Sequence, residues 1–101
     1  MFLVAYAVID VEIHDIGKYM EFMEAFRPVL EAAGGRYLAR GGDYRVYEGD
    51  YQPRRLVVLE FPSLADLDRF YASEAHQQVK KLRDTCSESR IIAVEGLREE
   101  D

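Results

Sequence analysis

One cysteine, two histidines and three prolines in 101 residues leave little material for several common chemistries. The lone Cys86 forbids an intramolecular disulfide, and on an apolar helical stripe it reads as inert packing rather than a nucleophile. The two histidines, His14 and His76, stand apart without ligand spacing, so no metal site is signalled. Basic charge is also short: 13 Lys and Arg face 19 Asp and Glu, for a formal net charge of −6. Nucleic acids and anionic membranes are attracted chiefly by a basic field, so neither is expected as a partner. An RNA-reading sheet would further need an aromatic and basic face, which these strands lack. The glycine-rich "RGGDYRVYEGD" has no phosphate-loop pattern, and no lysine follows it. The apolar start "MFLVAYAVIDVEI" has no basic leader and soon meets Asp10 and Glu12. Neither a signal peptide nor a membrane span is expected, and a cytoplasmic setting is the default.

Apolar residues make up 49% of the chain and aromatics 12%, a globular composition. No repeat, low-complexity tract or linker divides it, which suggests one domain over 1–101 with a solvated acidic tail at about 98–101. Residues 2–12 alternate as a strand that is apolar on both faces. Leu3, Ala5, Ala7, Ile9 and Val11 form one face; Val4, Tyr6 and Val8 form the other, closed by Asp10 and Glu12. Asp15 is a plausible cap for a helix whose stripe is Ile16, Tyr19, Met20, Met23, Phe26, Leu30 and Ala33. Pro28 should kink or break that helix, and Gly34-Gly35 should end it. "RYLARGGDYRVYEGD" reads as a strand interrupted near Gly41-Gly42 that then resumes. "RRLVVLEFP" is a further strand, Ser63 with Asp66 resembles a capping box, and Ser73 recaps a second helical piece. That piece would turn Ala75, Val79, Leu82 and Cys86 inward, and "RIIAVEGL" is the last strand.

The order β-α-β-β-α-β predicts an α+β, ferredoxin-like sandwich: a four-stranded antiparallel sheet with its helices on one face. Two helices cover only one face, yet three strands are apolar on both. A second copy is the economical cover, so a homodimer joined through the sheet faces is expected.

Polar groups that could form a site follow from the strand pattern. With the first and third strands taken as central, adjacent and parallel, Asp10 and Glu60 would meet at one end of the non-helix face. A hairpin centred near Tyr51 would bring Arg40 beside Glu60, with Gly41 and Gly42 letting the strand bend. Two readings remain: a small-ligand pocket with Arg40 as an anion fork and Asp10 or Glu60 as general base, or a partly buried ion pair closing the rim. Tyr6 could add a hydroxyl to such a pocket or simply pack in the core. His76 could exchange protons at the cavity entrance or lie on a surface helix. Tyr71 joins Tyr6, Arg40, Gly41 and Gly42 as a ligand-binding candidate, and Asp10, Glu60 and His76 are the catalytic candidates.

Nearly end to end, the segments "AYAVIDVEIHD", "GGRYLARGGDYRVYEGD", "RRLVVLEFPSLADLDRFYASEAHQQVKKLR" and "RIIAVEG" resemble domain of unknown function 1330. This is a group of small bacterial proteins in the dimeric α/β-barrel superfamily. Tyrosine stands at 51 where that family often has tryptophan, and histidine at 76 where it often has tyrosine. The resemblance implies a ferredoxin-like protomer and a homodimer with facing sheets. The wider superfamily includes cofactor-independent monooxygenases, lactone isomerases, haem-dependent enzymes and proteins that only bind ligands. A small-molecule-binding dimer is therefore expected, with cofactor-independent proton transfer or oxygenation as its chemistry if it turns over. The alternative is a non-catalytic ligand-binding or accessory dimer whose polar residues are architectural. No cofactor is called for.

Overall fold

The structure, a computed structural model, describes residues 3–97. The acidic tail expected over 98–101 lies outside the described residues. Strand β1 (Ala5–Ile13) leads into helix α1 (Ile16–Ala32), strand β2 (Arg36–Arg40) and strand β3 (Leu56–Phe61). Helices α2 (Leu64–Ala72) and α3 (Glu74–Asp84) follow, and strand β4 (Ser87–Glu95) closes the sheet. The strands lie in the order β2-β3-β1-β4 and every neighbouring pair is antiparallel, as the ferredoxin-like pattern requires.

Short-range chemistry fixes the helix ends. The Asp15 carboxylate accepts from the Lys18 amide at 3.1 Å, and Ser63 Oγ accepts from the Asp66 amide at 3.0 Å. Ser73 ends α2 and begins α3, its hydroxyl accepting from the His76 amide at 3.1 Å. Pro28 does not end α1, contrary to expectation. It sits on the exposed side, and Phe26 and Leu30 on either side of it are buried against the sheet, so packing offsets the missing N–H. Gly34, with φ of 81°, takes the left-handed conformation just past the helix.

Ala5, Ala7 and Val11 of β1 and Val57, Leu59 and Phe61 of β3 face the helices and are buried. Tyr19, Phe22, Phe26 and Leu30 of α1 close over them, with Leu67 and Phe70 from α2. Phe26 meets Phe70 edge-on at 5.7 Å between ring centroids; each such buried ring contributes about 2–3 kcal/mol. Ile16 and Met20, expected in the stripe, are exposed, and Phe22 takes the inward place. In α3 Val79 and Leu82 face inward as expected, and His76 rather than Ala75 completes the buried stripe.

Three expectations are corrected by register. First, β1 and β3 are antiparallel: Tyr6 stands opposite Glu60, and Asp10 opposite Leu56. The α1 crossover makes β2 run with β1, and β3 returns from β2 into the gap between them, so it opposes both. Asp10 and Glu60 therefore lie at opposite ends of the sheet. Second, Glu60 is opposite Arg36, and Arg40 is opposite Val57. Residues 41–55 form a long irregular arm instead of a resumed strand and tight turn, so the hairpin's centre falls earlier than Tyr51. Third, a register shift between Tyr37 and Ala39 leaves Leu38 as an extra residue. The bulge turns Arg40 onto the helix side with Tyr37, away from the open face.

Candidate functional site

Two carboxylates on the open sheet face, Glu60 and Asp10, each have local partners. Arg36 grips Glu60, Nε and Nη2 standing 2.7 and 2.6 Å from Oε2. Asp10 Oδ2 accepts from the Tyr51 hydroxyl at 2.5 Å, and Oδ1 accepts from the Arg54 and Arg55 amides at 2.8 and 3.4 Å. The Tyr51 bond, the two amides and the Arg90 charge hold the Asp10 carboxyl below its ordinary range against a smaller opposing effect of burial. Tyr6 is half-buried on the same face.

The opposite face of the sheet, under the helices, holds a small cavity of about 20 Å³, room for one water. Phe22 and Phe26 from α1 and Ile9 and Val57 from the sheet form its apolar walls. Its polar lining comes from Tyr19, Tyr37, Tyr71, Ser89, Arg40 and Arg83. The bulge in β2 delivers Arg40 here, its guanidinium 4.9 Å from the centre of the Tyr37 ring. Arg55, 5.9 Å from the Tyr19 ring centre, stands beside the same tyrosines. Gly41, at φ of 70°, lets the chain leave β2 against Arg55; a Cβ there would overlap the guanidinium. Gly42 has open space around it.

Buried polar atoms in native proteins almost always have a hydrogen-bond partner. Here the Tyr71 Oη and Ser89 Oγ are buried without one, as are Arg55 Nε and His76 Nδ1. Burial pushes the Tyr71 phenol up to about 12, and Tyr19 and Tyr37 are raised for the same reason, so all three are neutral hydroxyls at pH 7. His76 is 2% exposed rather than at a surface, packed among Phe26, Phe70 and Tyr71, with its ring centre 4.7 Å from that of Tyr71. Burial, aided by the Arg83 and Lys80 charges, lowers its pKa to about 4, so the imidazole is neutral.

The sequence candidates thus separate into groups. Arg40 and Tyr71 share the cavity; His76 abuts Tyr71; Gly41 and Gly42 lead out of β2; Asp10, Glu60 and Tyr6 face the other way. Ser89, Arg55, Arg83, Tyr19 and Tyr37 were not anticipated. Ser89 stood outside the expected last strand, and the arginines belong here only through antiparallel register. Glu12, His14 and Glu88 also converge at the sheet edge, their ligand atoms within 4.8 Å of one another, all solvent-accessible to some degree. Cys86 is buried, its thiol near the Leu82 and Arg83 carbonyls.

Among the described residues no helix is long and apolar enough to cross a membrane. The model of a family known as a domain of unknown function, DUF1330, matches residues 4–97, and the chain belongs to that family. No curated protein matches it. Among solved structures it is similar to a protein of unknown function from Rhodopseudomonas palustris, with a TM-score of 0.77 and 18% identity over 97% of this chain and 85% of that one. A dimeric ferredoxin-like protein of unknown function from Jannaschia sp. CCS1 aligns with a TM-score of 0.67 and 17% identity, covering 92% and 99% of the two chains. SnoaB, a cofactor-independent oxygenase from Streptomyces nogalater, aligns with a TM-score of 0.67 and 10% identity over 95% of each chain. At these identities the likeness is one of fold.

Proposed function

We propose that this DUF1330 protein is a homodimer that binds a small molecule in each protomer's cavity between the helices and the sheet. The observation that carries the binding half is the pair of buried, unpartnered hydroxyls, Tyr71 and Ser89, both lining that cavity. An unsatisfied buried hydroxyl costs about 1–3 kcal/mol, and a ligand offering it a partner recovers that cost on binding. The dimer half is supported by the open sheet face, where Leu38, Ile92 and Val94 are exposed beside Val8 and Val58. It is also supported by the dimeric fold relative.

Turnover is the second reading, as cofactor-independent proton transfer or oxygenation of the kind the SnoaB description names. Of the three catalytic candidates only His76 adjoins the cavity wall, through Tyr71. An imidazole with a pKa of about 4 is a weak base for a phenol or enol proton, which favours binding over turnover.

Native mass spectrometry of the purified protein tests both halves. The expected spectrum is a dimer carrying a small ligand, which is lost when Tyr71→Phe and Ser89→Ala are combined. A monomer overturns the dimer. An empty protein that takes up nothing from a library of small metabolites overturns the binding site.

A further inference from the structure

Four arginines are neutralised locally: Arg27, Arg36, Arg69 and Arg83 each pair with a carboxylate. Among the described residues the Arg45, Arg54 and Arg55 side chains pair with none, yet all three line one depression at the root of the irregular arm. It measures about 390 Å³, within the roughly 300–1,000 Å³ usual for small-ligand sites. It shares no lining residue with the cavity under the helices.

Local bonds hold the two walls of the depression together. The Gly41 amide donates to the Leu56 carbonyl at 2.8 Å, and the Tyr44 hydroxyl to the Pro53 carbonyl at 2.5 Å. Gly41 has no Cβ to overlap the Arg55 guanidinium, so that group can lie against the backbone. The Arg55 Nε is buried without an acceptor, leaving its two terminal nitrogens as its donors to the depression. Asp43 also lines the site but forms an ion pair with none of the three arginines. Three arginines against one aspartate leave a formal charge of +2, in a chain whose net charge is −6. Like charges held together repel one another, and a multivalent anion removes that repulsion.

We infer that this depression binds the phosphoryl group of free phosphate or of a small phosphate monoester. A phosphate monoester carries about −1.5 to −2 charges at pH 7, which matches the arginine excess. A single carboxylate would leave half of that excess in place. Guanidinium forks also meet phosphate oxygens in pairs, so the three side chains supply direction as well as charge.

The probes are inorganic phosphate, glycerol 3-phosphate, acetate and a short single-stranded RNA, titrated into the whole protein at fixed ionic strength. Binding is followed by amide shifts in ¹H–¹⁵N NMR. The two phosphates are expected to bind at least tenfold more tightly than acetate, shifting amides in 41–45 and 54–55. Arg45 and Arg54 are exposed, so Arg45→Gln and Arg54→Gln should keep the wild-type fold and spectrum while each weakens the phosphates about tenfold. Lys81→Gln, which removes the same charge from an exposed site on α3, should leave them unchanged. A tighter grip on glycerol 3-phosphate than on free phosphate assigns an organic phosphate, and equal affinity assigns the free ion; both support the site. Acetate binding as tightly as phosphate overturns it. So do shifts confined to other amides, phosphate affinity that survives both arginine substitutions, or RNA bound more tightly than either phosphate.

Discussion

The Tyr51 hydroxyl donates to Asp10 Oδ2 at 2.5 Å and so ties the irregular arm to the centre of the sheet. The same carboxylate receives the Arg54 and Arg55 amides, which makes it the point where the arm re-enters β3. Asp10 thereby sets where Arg55 begins, and Arg55 stands on the helix side next to Arg40. An acid on one face of the sheet thus fixes the position of a base on the other.

Tyr51→Phe removes the largest cause of the low Asp10 pKa. The carboxyl should move up toward its ordinary range, as followed by ¹³C NMR of the side chain. Because a depressed carboxylate pKa stabilises the fold above the unfolded value and that stability is lost as pH falls through the folded pKa, the variant should show a smaller loss of stability in acid. The Arg54 and Arg55 amides should exchange with solvent faster. Unchanged exchange would mean that the arm is held elsewhere.

His76 predicts a second pH effect, at higher pH. Its pKa is lowered from 6.5 to about 4 in the folded protein. The unfolded state gains a proton first as pH falls, so stability is full above about 6.5 and declines down to about 4. The decline is about 3 kcal/mol at most. Lys80 and Arg83 oppose the protonated ring and Asp84 favours it. Chemical denaturation of His76→Phe should lose the slope between pH 6.5 and 4; a wild-type curve flat across that range would contradict the buried neutral imidazole.

The two adjacent glycines should respond differently. Gly41→Ala forces a side chain into the left-handed region against the Arg55 guanidinium and should cost about 1–2 kcal/mol in urea denaturation. Gly42→Ala meets nothing and should be near neutral. Equal costs would show that the arm leaves β2 by another path.

Ile92 is 68% exposed on the open face. In a homodimer joined through that face, Ile92→Glu would bury a carboxylate from both copies and weaken association at least about a hundredfold. Sedimentation at micromolar concentration should then report the protomer mass of 11.7 kDa. An unaffected dimer would place the interface elsewhere.

Much of the architecture was legible because it rests on local signals. Alternation in β1 and β3, the caps at Asp15, Ser63 and Ser73, and Gly34 after α1 each act within a few residues, and the structure keeps all of them. The apolar second face of the sheet could be read the same way, and with it the expectation of a partner copy. The site could not. Whether Asp10 meets Glu60, and which arginine meets Glu60, depends on strand direction and on the length of an arm without regular structure; periodicity carries neither. One bulged residue, Leu38, decides which side of the sheet receives Arg40, because side chains alternate with a period of two and a single insertion exchanges the faces. The sequence by itself determined the elements and their apolar faces. Tertiary register alone decided that Arg40, Tyr71 and Ser89 would gather under the helices, since burial and charge balance are properties of neighbours brought together by the fold.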